Sequence, residues 1–215
     1  MGNQAYKKEL LREFRSAHRL INEFQGKIQE LLLNYIQPKL GFIPKLVARR
    51  LYCDPISQTI SDKGLGNPSF RILEGNWAYD LLYTQSIEYF LGEKDNFGFA
   101  VIQISDTGAY HDNQIHQFST DFPSAEECES LLVFKIKYKG NQERDDWMHT
   151  NDRDTSRIYE VINSKSDVLI PKDSPTSCYI RFSLMNFMDE KSCEEAIEKV
   201  NTQFEEFKHG FHHAI

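Results

Sequence analysis

Apolar residues recur along the first part of the chain as Leu10, Phe14, Ala17, Ile21, Phe24, Ile28, Leu31 and Tyr35, with steps alternating between four and three. That spacing keeps them on one side of a helix and predicts a long helix over 5–37, ended by Pro38. Leu11, Leu32 and Ile36 widen the stripe beyond a narrow dimer seam. The end of the chain repeats the device: Cys193, Ile197, Val200, Phe204, Phe207 and Phe211 step by four and three, with Asp189 placed to start a helix that fades near Gly210.

Between these helices the period changes to two. LLVFKIKYKG (131–140) alternates Phe134, Ile136 and Tyr138 with Lys135, Lys137 and Lys139, which reads as a strand with a buried face and a lysine-bearing solvated face suited to a sheet edge. NWAYDLLYTQSIEYFLG (76–92) and NFGFAVIQISD (96–106), joined at GEKDN, predict a hairpin, and SCYIRFSLMNF (177–187) a strand leading into the last helix. PKLGFIPKLVARR (38–50) is a proline-marked cationic connector or short helix, SDKGLGNPS (61–69) is turn material, and 107–129 and 141–176 are polar inserts.

Terminal helices around a run of strands, without strand–helix alternation, predict an α+β fold in which a mainly antiparallel sheet is packed by long N-terminal and C-terminal helices. The 215 residues fit a single domain, with 1–50 as a basic helical arm and 60–215 as a strand-rich body carrying the C-terminal helix.

Charge sharpens this division. Residues 1–50 hold ten Lys/Arg against four Asp/Glu, whereas 51–215 hold fifteen against twenty-eight, so an acidic body follows a basic arm. The helices carry matching biases: six Lys/Arg against four Glu over 5–37, and seven acids against three lysines over 189–208. Opposite charge and equal periodicity favour packing of the two helices within one chain; the alternative is a homodimer through the terminal helices. The acidic body opposes a phosphate backbone, so nucleic acid is not the expected partner.

Four cysteines without a CxxC pair or regular framework predict a reducing, cytoplasmic setting. No secretory leader or membrane span is expected, and Tyr6 occupies the position where the myristoylation motif suggested by MGNQAY needs Ser or Thr.

The candidate chemistry is sparse. His111, Asp112 and His116 are a candidate metal set, with Asp106 nearby; yet the histidines are five apart, about 140° on a helix and on opposite faces of a strand, so only an irregular loop would join them. ERDDWMHTNDRDTSR (143–157) gathers Asp145, Asp146, His149, Asp152 and Asp154, which would suit a metal-dependent phosphoesterase or nuclease, while Arg144, Arg153 and Arg157 would neutralise the same acids. Within it, Asp145, Asp146, Trp147 and Met148 form a candidate partner-binding patch, an apolar anchor inside an acidic rim. Lys39, Lys45, Arg49 and Arg50, near Phe42 and Tyr52, are the candidate nucleic-acid contacts of a weak adaptor.

KGLGNPS lacks the spacing of a phosphate loop, and no GxSxG elbow ties Ser86, Cys128 or Cys178 to a histidine. No catalytic residue and no cofactor is assigned. Acidic surface and aromatic abundance without a compact catalytic motif favour a non-enzymatic intracellular protein-binding protein, in the manner of an inhibitor, immunity protein or adaptor.

Overall fold

A computed structural model describes residues 2–41, 43–50, 86–113, 122–138 and 153–212. The expected α+β architecture is what these residues form: six antiparallel strands, with long helices at both ends.

The first helix, α1, spans Gly2–Leu31, followed by a π turn at Leu32–Ile36 and a short α2 at Gln37–Leu40. Pro38 does not stop the helix. It sits in the first turn of α2, where its missing N–H matters least, and the wider π turn before it absorbs the change of hydrogen-bond pattern. The stop is Gly41, whose φ of 68° is left-handed and whose N–H returns to the Pro38 carbonyl.

The segment expected to be a connector or short helix is therefore both α2 and a strand. β1 (Ile43–Arg50) pairs with β2 (Ser86–Lys94), which turns at Asp95 and Asn96 into β3 (Phe97–Ile104). Both turn residues have positive φ, the two-residue geometry that suits the twist of a hairpin. β4 (Leu131–Tyr138) follows, and after α3 (Arg153–Asn163) come β5 (Val168–Leu169), β6 (Ser177–Ser183) and α4 (Glu190–His212). The sheet order is β1-β2-β3-β4-β6-β5.

One sheet face carries the main core. Ile87, Tyr89, Leu91, Phe97, Phe99, Val101, Leu132, Phe134 and Ile136 meet Ile28, Leu32, Ile36 and Leu40 from the first helical stretch and Cys193, Ile197, Val200, Phe204 and Phe207 from α4. Phe204 stands edge-on to Phe97 and Phe99 at centroid distances of 5.4 and 4.9 Å. The terminal helices thus share one interior, the arrangement that their matching periods and opposite charge favour. Lys39 at the end of α2 reaches Glu194 of α4 at 2.7 Å, a local instance of the basic-to-acidic match.

The opposite face has its own, smaller core. Ile102, Ile104, Leu131, Val133 and Tyr179 pack against Ile158 and Val161 of α3 and against Ala109 and Tyr110 from a 3-10 helix at Thr107–Asn113. Arg181 donates to the Val161 and Ile162 carbonyls, closing the end of α3. Asp189 accepts from the Ser192 N–H at 2.9 Å and starts α4.

Candidate functional site

The apolar stripe of α1 has two fates. From Phe24 onward it turns into the core; before that it faces water, with Tyr6 68%, Leu10 52%, Leu11 55%, Phe14 65% and Leu20 67% exposed. At 100° per residue, Tyr6, Leu10, Phe14, Ala17, Leu20 and Ile21 share a band about 120° wide with Phe24, Ile28 and Leu31, and Leu11 lies about 60° beyond its edge. One continuous surface is therefore buried in its second half and bare in its first. Isolated exposed leucines are ordinary, but five large apolar side chains along about 24 Å of one helix face form a patch.

Its flanks are charged. Residues 2–20 carry Lys7, Lys8, Arg12, Arg15 and Arg19 against Glu9 and Glu13, a local cationic balance in an acidic protein. Such a helix is suited to lay its apolar side in a groove while its basic margin meets acids.

A different constellation lies under the sheet's smaller layer. Glu88 on β2 and Lys135 on β4 are separated by β3, yet Lys135 Nζ approaches Glu88 Oε1 to 3.4 Å, with the side chains only 3% and 2% exposed. Lys135 stands opposite Ala100 in the β3–β4 ladder, and the small alanine leaves room for the lysine stem to lie across β3 toward Glu88. Both residues have further interactions, so the pair is part of a larger polar arrangement. The expectation of solvated lysines along an edge strand is corrected here: β4 is interior to the sheet, and Lys135 is buried.

Two more buried polar links flank this region. On the main-core face Tyr89 donates to Gln103 at 3.0 Å and more loosely to Gln25 of α1. Ser86 shares a hydrogen bond with Tyr110, and burial raises the Tyr110 hydroxyl well above its usual range. Ser86 is thus a buried hydroxyl hydrogen-bonded to a neutral phenol.

The residues singled out from sequence fall in several places. Lys39 is occupied: Glu194 hydrogen-bonds it and raises its ammonium, and the Tyr35 ring lies 4.0 Å away. Lys45, Arg49 and Arg50 belong to β1, where Arg49 stands opposite Glu88 and Arg50 opposite Ile87 in the ladder. His111 and Asp112 fall in the 3-10 helix at Thr107–Asn113; His116 lies outside the described residues, as do Asp145, Asp146, Trp147, Met148, His149 and Asp152. Among the described residues no three His, Cys, Asp or Glu side chains gather as a metal site. Cys128, Cys178 and Cys193 are unpaired, and burial raises the Cys178 thiol to about 12 and the Cys193 thiol to about 11.

A polar hollow of about 390 Å³ opens between β6 and α4, lined by Glu129, Asp167, Arg181, Ser192, Glu195 and Lys199 among others. Its two cations converge on one carboxylate: Asp167 lies 2.9 Å from Lys199 and 3.8 Å from Arg181. That mutual neutralisation makes it a weak anion site.

None of the described helices is long and apolar enough to cross a membrane. No curated protein and no solved structure matches the chain. The PM0109 family matches residues 5–208, from the exposed stripe through the sheet to the last helix, and the chain belongs to the PM0109 family.

Proposed function

We propose that this is a non-enzymatic, intracellular protein-binding protein that docks through residues 6–21 of α1. The observation that carries the reading is the bare half of the α1 stripe: large apolar side chains held on a rigid helix, in line with a buried seam and bordered by cations. A helix of this kind supplies anchors at i, i+4 and i+7 spacing without paying to order a disordered segment. The unpaired cysteines, two of them buried, support a reducing compartment. The acidic stretch around Trp147 and Met148 is a second contact, and the partner is a protein that offers a complementary apolar surface to the stripe.

Affinity purification of the full chain from its own cells tests the reading. Leu10→Glu with Phe14→Glu should leave the circular dichroism and melting temperature close to those of the native chain and remove the co-purifying partner; Lys191→Ala, on exposed α4 surface, should keep it. An unchanged set of partners with the stripe variant refutes docking through α1, and retention by Trp147→Ala removes the second contact alone.

A further inference from the structure

Resting on that reading, we propose that the protein docked on the bare stripe is a second copy of the same chain, with the two α1 segments antiparallel and centred between Arg15 and Ser16. The period of the stripe permits this register without borrowing any side chain from the core. With sequence numbers across the pair summing to 31, Phe14 faces Ala17 of the second copy and Leu10 faces Ile21, each contact occurring twice by symmetry. The largest side chain meets the smallest in the two central layers. Leu11 and Leu20, the exposed residues at the stripe's margins, flank those layers and would cover them from water.

Charge selects the antiparallel direction. Residues 2–20 hold five Lys/Arg against two Glu, and the remaining chain holds twenty against thirty acids. A parallel pair would set two acidic bodies side by side at one end and face Phe14 with Phe14. The antiparallel pair separates the bodies and brings Lys7 and Lys8 of each arm to residues 23–24 of the other, where its helix enters the acidic body.

Area sets the class of interface. Five side chains more than half exposed, at about 100 Å² apiece, with Ala17 and Ile21 beside them, offer roughly 500–600 Å² per copy, so the pair buries about 1,100 Å². That falls just below the ordinary range of specific interfaces, among weak and transient ones, and suits a reversible monomer–dimer equilibrium rather than an obligate dimer.

Sedimentation equilibrium of the full chain between about 1 and 100 µM should show the mass moving from the 25.1 kDa monomer toward twice that value. Phe14→Glu should hold the monomer mass throughout, with an unchanged circular dichroism spectrum because Phe14 is exposed. Mild oxidation of Phe14→Cys chains mixed with Ala17→Cys chains should give chiefly the mixed disulfide, with the native chain as background. A native chain that stays monomeric at 100 µM, or a dimer that survives Phe14→Glu, overturns the second copy as occupant. Mostly like-with-like disulfides overturn the antiparallel direction. If the chain is monomeric but still captures another protein through the stripe, only the self-pairing falls; if it does neither, docking through α1 falls with it.

Discussion

Replacing Lys135 by Met, Glu88 by Leu, and both together tests whether the buried charges act as a unit. The two side chains are 2% and 3% exposed with 3.4 Å between charged atoms, so neither can recover its hydration when the other is removed. Losing one member takes from the other its oppositely charged neighbour inside the protein, at a cost of up to about 3–5 kcal/mol. Losing both removes the two desolvation penalties together, and apolar replacements of similar length fill the same space. Urea unfolding of the four proteins should give two strongly destabilised single variants and a double variant less destabilised than the worse single, with a coupling of about 2 kcal/mol or more. Because each residue has additional interactions, full recovery of native stability is not required. Single costs that simply add would refute the reading, showing that Lys135 and Glu88 are held by their other neighbours and not by one another.

Gly108→Ala should lower stability, because a Cβ there would stand 2.9 Å from both Asp106 Oδ1 and Cys128 Sγ and 3.1 Å from Phe122 Cβ; a melting temperature equal to the native one would show that this corner can open at no cost. Acidification should loosen the α4 attachments, since Lys39 hydrogen-bonds Glu194, Lys208 hydrogen-bonds Asp95 and the Ser192 N–H bonds Asp189, each holding its carboxyl below the ordinary range. Their stabilisation is fully present above about pH 5 and is lost as pH falls through the folded values. A pH titration of the melting temperature should therefore lose part of its acid slope in Glu194→Gln and Asp95→Asn, and an unchanged slope would deny those pairs any role. Among Cys128, Cys178 and Cys193, mass spectrometry after brief alkylation should find Cys128 modified first, because it is half-buried while the other two are buried and their thiols are pushed to about 12 and 11; equal labelling rates would show that the sheet opens readily.

Periodicity made the terminal helices, the hairpin and the fold class legible, because each rests on a local repeat. Asp95 and Asn96 even mark the hairpin turn by their tolerance of positive φ. What the repeat could not convey was how many layers cover the sheet. Lys135, Lys137 and Lys139 alternate with apolar residues as a half-solvated edge strand would, and the correct signal lay at the start of the same run. Leu131, Leu132, Val133 and Phe134 are apolar without alternation, which is how a strand buried on both faces reads. Pro38 misled for a related reason: a proline blocks a helix only where an N–H is needed, and the π turn before it shifts that requirement. The bare half of α1 escaped because hydrophobic spacing reports which face is apolar and not what lies against it.

Dimensions explain why, among the described residues, nothing covers half of that face. The central strands run eight or nine residues, about 26–30 Å. A helix lying along such a sheet is covered over a similar length, and residues 24–40 of the first helical stretch occupy about 25 Å. The remaining turns overhang whatever their composition, so a helix of ordinary soluble design would become polar there; this one keeps Leu10, Leu11, Phe14 and Leu20. It follows that residues 2–20 contribute little to the fold itself. Deleting them should change the melting temperature by no more than a few degrees while abolishing the concentration-dependent mass, whereas deletion through Leu31 removes Ile28 from the core and should unfold the protein. A chain that unfolds when only 2–20 are removed would place that segment inside the folding unit, and the bare stripe would then be better understood as structure than as a surface kept for a second protein.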